Sequence, residues 1–241
     1  MIGEMFKEGF LGKKVIAHFH EWLSGAGLLY LKSRNIRIPT VFTTHSTVLG
    51  RAIAEAGKED LYDMIREGLS RGETVPLDVA YRYRVHSKHL VEKASAENAS
   101  VFTTVSETIG KECEYILGRK PDILLPNGLE MNKFPIMEDL SDLHIYYRDI
   151  IRNFVLMYFS PYYEIDVKNT LFFFMSGRQE MHNKGIDVLI DALKELNEKL
   201  KKKGSKKTII VFLWIPGKIK ERKESIIEHL KIYETLRERI E

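Results

Sequence analysis

The segment from Ser176 to Ile190 contains two side chains that remain positively charged at physiological pH, Arg178 and Lys184. An apolar aromatic run precedes it, Gly177 frees the turn, and an amphipathic helical pattern follows, which Asn183 is placed to cap. Two cations beside a helix N-terminus suit a diphosphate whose negative charge grows as a glycosyl bond breaks, because fixed positive groups stabilise that charge more than the ground state. The alternative, that both are ordinary surface charges, is disfavoured by their position between an apolar strand and a helix.

Polar residues also recur wherever a strand is predicted to end. These residues are His18 and His20, Thr44, His45 and Ser46, Thr104 and Ser106, Asn127 and Gly128, and Ser176, Gly177 and Arg178. In parallel sheets, ligands bind outside the carboxyl ends of the strands, where helix N-termini present N–H groups to anions. A single histidine at a strand end is more often a structural hydrogen-bonder, but several such ends on one rim favour a ligand site.

The elements that would position these residues alternate between short apolar, β-branched runs and helical patterns, which predicts parallel sheets with crossover helices. The strands predicted in the first half are 14–20, 40–45, 100–106 and 122–127. Helices are predicted over 48–56 and 107–117, with a longer charged helical stretch over 62–98 that includes YRYRVHSKH as a surface helix.

The second half begins with an acidic, then aromatic and helical stretch at 132–168, which we interpret as a linker and helical insertion. A second βαβ unit follows, with strands over 170–175 and 208–215, a helix over 185–202 and a charged helix after Gly217. The predicted fold class is α/β, with portions of two Rossmann-type parallel-sheet domains over 1–131 and 169–241.

Composition excludes several classes of protein. The 241 residues are 44% hydrophobic with a net charge of +3, which indicates a globular chain without the concentrated basic excess of nucleic-acid proteins. The single cysteine, Cys113, excludes an internal disulfide scaffold and cysteine-based zinc sites, and no metal site is expected. No apolar run approaches membrane-spanning length and no signal-peptide pattern is present, so a cytoplasmic protein is expected.

Five motifs carry a specific resemblance. They are AHFHEWLSGAGL (17–28), TVFTTHSTVLGRAI (40–53), VFTTVSETIGKE (101–112), KPDILLPNGLEMNKF (120–134) and SGRQEMHNKGIDVLIDAL (176–193). Together they resemble glycogen synthases of the animal and fungal type. The resemblance implies a GT-B fold, in which two Rossmann domains enclose the donor, and transfer of glucose from UDP-glucose to the non-reducing end of glycogen with retention of configuration. It implies no metal, no cofactor beyond the sugar-nucleotide substrate, and a homo-oligomer for the complete enzyme.

The same resemblance assigns roles to particular residues. His20 looks like the family's donor-site histidine, and Arg178 and Lys184 look like its diphosphate-binding cations, reached through Gly177. The remaining matches are His18, for which a structural role is the alternative, His45 and Arg51, which line or support the site, and Asn127 and Gly128, which match a turn at the domain crossover.

Two family elements have no counterpart in this sequence, a lysine-containing glycine-rich loop near the start and an acidic motif near the end. We therefore expect the chain to be an internal part of the enzyme, inactive alone and dependent on polypeptides that carry those elements. Regulated members bind glucose 6-phosphate in the insertion, where His144 and Arg148 stand here. The acidic neighbours at 138, 139, 141 and 142 disfavour a phosphomonoester, so ordinary packing is the favoured interpretation of that segment.

Two other functions stay open. One is a noncatalytic remnant, or a partner-dependent module that binds glucan or nucleotide. The other is a different GT-B transferase, which would share the SGR and lysine pattern but not HFHEWLSGAG with TTHSTVLGR.

Overall fold

The computed structural model describes residues 15–160 and 162–217, and the isolated positions 224, 228, 231, 232 and 235. The chain divides into two compact units, of which the first ends at Gly128 and the second begins at Leu129. Both have an α/β arrangement with parallel strands, which confirms the predicted fold class. The predicted domain limits at 131 and 168 stay a prediction.

The first unit contains a four-stranded parallel sheet in the order β1-β2-β3-β4. Its strands are β1 (Ala17–His20), β2 (Thr40–Thr44), β3 (Val101–Thr104) and β4 (Ile123–Leu124). Its helices are α1 (Glu21–Ser33), α2 (Val48–Ala56), α3 (Leu61–Ser70), α4 (Leu77–Arg82), α5 (His86–Asn98) and α6 (Glu107–Leu117). Because the strands are parallel, their carboxyl ends, and the polar residues after them, lie along one edge of the sheet.

The core of this unit forms where helices cover the sheet. Phe42 of β2 and Phe102 of β3 are fully buried and stack with their ring centroids 5.9 Å apart. Helix α1 packs closely on α5, since a Cβ on Gly25 would overlap the Ser95 hydroxyl. This packing fixes α5 beneath the edge where β1 and β2 end.

Local signals account for the ends of two helices that the sequence predicted. The Thr47 side chain accepts a hydrogen bond from the Gly50 N–H at the start of α2, and the Ser106 side chain does the same for Ile109 at the start of α6. Both helices end at a glycine in the left-handed conformation, Gly57 and Gly118.

The expected long helical stretch over 62–98 is wrong in detail, because three helices occupy it. The first break lies between Ser70 and Leu77 and contains Gly72 and Pro76, and the second falls at Arg84, which has φ 57°. The YRYRVHSKH segment is therefore the junction of α4 and α5 and not one surface helix. Its last histidine, His89, is 2% exposed.

Between residues 129 and 217, the second unit contains a long helix and one βαβ element. Its elements are α7 (Met137–Phe159), β5 (Thr170–Ser176), α8 (Ile186–Lys202) and β6 (Thr208–Trp214), and the two strands pair in parallel over seven positions. Helix α8 begins after Gly185, which has φ 65° and is the N-cap residue, so the expectation of Asn183 as cap is wrong. The charged helix expected after Gly217 falls mostly outside the described residues. In the parts of the chain that are described, no helix is both long and apolar enough to span a bilayer.

Candidate functional site

Three imidazoles meet where β1 and β2 end, and we call His18, His20 and His45 the histidine cluster. The His20 Nδ1 lies 3.3 Å from the His45 Nε2, and the rings of His18 and His20 are 4.2 Å apart between centroids. The His18 Nε2 hydrogen-bonds the Thr43 hydroxyl at 2.7 Å, which anchors the cluster to the neighbouring strand. The structure thus brings together three of the residues that the sequence singled out.

The environment of His20 favours its neutral form. Partial burial first, and then the proximity of His18 and His45, lower its pKa, while Glu21 acts in the opposite direction. A neutral imidazole has one N–H donor and one acceptor nitrogen. Since His20 is exposed at the edge of the sheet, it can hydrogen-bond a polar ligand such as a sugar hydroxyl there.

Two buried carboxylates beside this cluster were not predicted. Glu92 of α5 is 0% exposed and Glu112 of α6 is 4% exposed, and both bind the turn between β2 and α2. Burial raises the pKa of both carboxyls, that of Glu92 to about 7. In the sequence each is one glutamate among the charged residues of a helix, and only its position on the buried face could have marked it.

The cations of the second unit lie in the loop between β5 and α8. A Cβ on Gly177 would lie 3.3 Å from the Cγ and Cδ of Lys184, so the absence of a side chain at Gly177 leaves room for the stem of Lys184 to cross the backbone. The Arg178 Nε pairs with Glu180 Oε1 at 3.1 Å. The two cations are thus in one exposed loop, and an anion must compete with Glu180 for Arg178.

The N-terminus of α8 is less open to anions than the sequence suggested. Asp187 lies in the first turn of α8, and its Oδ2 is 2.5 Å from His182 Nδ1. The nearby Val188 N–H is the main cause that lowers the pKa of the Asp187 carboxyl. An acidic side chain therefore already occupies the positive end of this helix. Arg178 and Lys184, and not the helix terminus, are the groups available to a phosphate.

Among the described residues, no contact of Asn127 or Gly128 marks a binding site. Both are exposed, and a Cβ on Gly128 would meet nothing within 4 Å. Within the described residues Asn127 makes no hydrogen bond, so the structure leaves its predicted role untested.

A second group of basic side chains lines a groove of about 1250 Å³ in the second unit. His144, Arg148 and Arg152 of α7 face aromatic residues of β5 and β6, including Trp214. The Nε atoms of Arg148 and Arg152 are buried without a hydrogen-bond partner in the described structure. Arg152 also pairs with Asp149, at 3.2 Å.

Among the described residues, no group of three or more histidine, cysteine or acidic side chains is arranged to hold a metal ion. Cys113 is fully buried and burial raises the pKa of its thiol, so it is suited to packing in the core.

Comparison with known proteins gives one family throughout. A family model described as glycogen synthase matches residues 1–241. The chain is 42% identical over 205 residues to glycogen [starch] synthase isoform 2 of Saccharomyces cerevisiae. This match covers 85% of the present chain and 28% of the yeast protein. The chain is 42% identical over 214 residues to glycogen [starch] synthase of Dictyostelium discoideum (88% and 24%), and 39% identical over 212 residues to the liver protein of Mus musculus (86% and 28%). The chain thus spans about a quarter of the length of these relatives.

Proposed function

The chain belongs to the glycogen synthase family, and we propose that it supplies part of the donor site of a glucosyltransferase that moves glucose from UDP-glucose to glycogen. The observation that carries this proposal is the loop after β5, which presents Arg178 and Lys184 together with a glycine that makes room for the lysine. Because the chain spans only about a quarter of the length of these relatives, the proposal includes that activity requires further segments of such a protein. A cytoplasmic location and a homo-oligomeric complete enzyme are parts of the same proposal.

The chemistry assigned to the loop is stabilisation of the leaving group. As the bond between glucose and UDP breaks, negative charge accumulates on the diphosphate, and two cations fixed nearby lower the energy of that state. Arg178 can bind two phosphate oxygens through its planar guanidinium, whereas Lys184 acts as a point charge. Neutral His20 holds a hydroxyl of the transferring glucose.

The test places the chain in a complete enzyme. The matching segment of the Saccharomyces cerevisiae isoform 2 protein is replaced by this chain, and steady-state glucosyl transfer from UDP-glucose to glycogen is measured, with donor affinity determined separately. Arg178→Ala and Lys184→Ala should each lower turnover by roughly two to three orders of magnitude, and donor binding should weaken less. Arg178→Lys should recover only part of the loss, because the planar fork is missing.

A control and a further variant complete the experiment. Lys199→Ala removes an exposed cation of α8 that pairs with Glu195 at 3.5 Å, and it should leave turnover unchanged. His20→Ala should reduce turnover more than affinity for glucan. Near-wild-type turnover in either loop variant would remove that residue from the mechanism. A chimera that binds UDP but transfers no glucose would favour the noncatalytic binding module.

We also propose a regulatory role for the groove of the second unit, in which a phosphate group pairs with Arg148 and Arg152. The unpartnered Nε atoms favour this over the plain packing role expected from the acidic neighbours, since buried guanidinium N–H groups without partners are costly. Titration of the chain with glucose 6-phosphate and with inorganic phosphate should shift the NMR signal of His144, and Arg148→Ala should abolish the shift. A His144 signal that both ligands leave unchanged would exclude the site.

A further inference from the structure

Three carboxylates surround the turn that joins β2 to α2. Glu21 accepts a hydrogen bond from the His45 N–H at 3.0 Å, Glu112 accepts from the Thr47 N–H at 2.7 Å, and Glu92 accepts from the Val48 N–H at 2.8 Å. We call these residues the carboxylate frame. They come from the start of α1 and from α5 and α6, so the turn is held from three elements distant in sequence.

Side-chain hydrogen bonds tighten the same frame. The Thr44 hydroxyl donates to Glu92 Oε1 at 2.7 Å, and the Thr47 hydroxyl donates to Glu112 Oε1 at 2.7 Å. The Thr47 oxygen also accepts from the Gly50 N–H, which caps α2. Each of these groups is buried, so each bond restricts the turn in surroundings where water does not compete.

Buried carboxylates at this position change what the turn can do. The positive end of α2 faces Glu92 and Glu112, which occupy N–H groups that would otherwise be available to a phosphate. The Thr47 and Val48 N–H groups are therefore not available to an anion. The remaining contact of the turn with the candidate site is His45, whose ring lies against His20.

The geometry of this chain of contacts has a specific consequence for His20. Glu21, which follows it directly, has φ 60°, an uncommon conformation for a residue with a side chain, and its carboxylate is anchored to the His45 backbone. A displacement of the turn would move His45, and with it the partner of the His20 Nδ1. Neither Glu92 nor Glu112 contacts an imidazole of the cluster in the described structure, so both would act through the turn.

We propose that Glu92 and Glu112 are positioning residues that hold the turn so that His45 orients His20 for glucosyl transfer. The expected effect on glucosyl transfer rests on the proposed function, whereas the effect of the two glutamates on the orientation of His20 can be measured without activity. Glu112→Asp is the informative change, because it keeps the charge and withdraws the carboxylate by one methylene from the Thr47 groups. Glu112→Gln keeps the acceptor oxygen and serves as the conservative variant. Glu114→Gln, two residues further along α6, is the matched control.

The first measurement uses the 241-residue chain alone. The NMR signals of the His20 and His45 rings are followed against pH in each variant. Glu112→Asp should shift both signals and change the pH at which His20 titrates, whereas Glu112→Gln and Glu114→Gln should leave the His20 profile close to that of the wild type. Glu92→Asp should resemble Glu112→Asp, because it withdraws the acceptor from Val48.

The second measurement uses the yeast chimera. Glu112→Asp should lower kcat by about tenfold to a hundredfold with little change in KM for UDP-glucose, since a misplacement of about 1 Å is sufficient for such a loss. Glu112→Gln should restore most of the rate. If Glu112→Asp and Glu92→Asp lower stability but leave the imidazole signals at their wild-type positions, the two residues are only structural and the proposal is overturned. Shifted signals in a chimera without transfer would retain the geometry but refute the proposed function.

Discussion

The free energy of unfolding should depend on pH partly through the ionisation of Glu92, and replacing Glu92 by glutamine should remove that part. The carboxyl is fully buried, and desolvation raises its pKa to about 7 in the folded chain, against 4.5 for an unperturbed glutamate. Between these two values the folded state binds more protons than the unfolded state. The free energy of unfolding therefore falls as the pH rises, and the contribution that is complete below about pH 4.5 is lost as the pH rises through about 7.

The magnitude follows from the two pKa values. The difference between 7 and 4.5, at about 1.4 kcal/mol for each pH unit, gives about 3 kcal/mol. The proton has a place in the structure, because a protonated Glu92 Oε1 can donate to the Thr44 hydroxyl, which in turn lies 3.3 Å from the Ser46 carbonyl oxygen. Glutamine reproduces this pattern with its amide N–H and carries no charge at any pH.

The assay is urea unfolding of the first unit. The chain has two tryptophans, so Trp214→Phe leaves Trp22 of α1 as the only tryptophan reporter, in the same unit as Glu92. In this background, the free energy of unfolding of Glu92→Gln relative to that of its Glu92 parent should rise by about 3 kcal/mol between about pH 4.5 and about pH 8. Burial of the glutamine amide also changes stability at every pH. The prediction therefore concerns only how the difference in the free energy of unfolding between variant and parent varies with pH.

Wild-type stability alone would not reveal this effect. His89, one turn earlier on α5, is buried and has its pKa lowered to about 4 by desolvation and by Lys93. Its contribution is present above about pH 6.5 and is lost as the pH falls through about 4, opposite to that of Glu92 over an overlapping range. The Glu21 and Glu112 carboxylates also face Glu92 and raise its pKa further. If the stability difference between Glu92→Gln and its parent does not change with pH, Glu92 is ionised in the folded chain and the reasoning fails.

Three other predictions concern packing, charge and reactivity. Gly50→Ala should lower the free energy of unfolding by about 1–3 kcal/mol, since its Cβ would lie 2.6 Å from the buried Glu112 Oε1. The control Gly110→Ala, whose Cβ would meet nothing closer than 3.6 Å, should raise it by about 0.5–1 kcal/mol. Equal effects of the two changes in urea unfolding would refute the close contact of Gly50 with Glu112. Glu180→Gln removes the ion pair of Arg178 and should raise the affinity of the chain for UDP, measured by calorimetry, by about twofold to fivefold. A weaker affinity would show instead that Glu180 positions Arg178 for binding. Alkylation of Cys113 should proceed only through unfolding and accelerate with urea, so rapid labelling in buffer would contradict its burial.

Much of the fold was predictable because its signals are local. The strands Thr40–Thr44 and Thr170–Ser176 follow β-branched and aromatic runs, and α2 and α6 begin at hydroxyl caps and end at glycines. Where the signal was weak, the prediction failed. Arg84 breaks the expected helix in a left-handed conformation that is uncommon for a residue with a side chain, and no glycine or asparagine at this position signals it in the sequence.

The candidate site divides in the same way. The sequence by itself determined that His18, His20 and His45 lie at strand ends and that Arg178 and Lys184 share one loop, because residue spacing and strand direction place them there. Only the tertiary structure decided that Glu92 and Glu112 reach the turn of His45, across 44 to 65 residues of chain, and that Glu180 opposes Arg178. A buried carboxylate is stable only where N–H and hydroxyl donors meet it, and donors from distant segments come together only when the helices pack on the sheet.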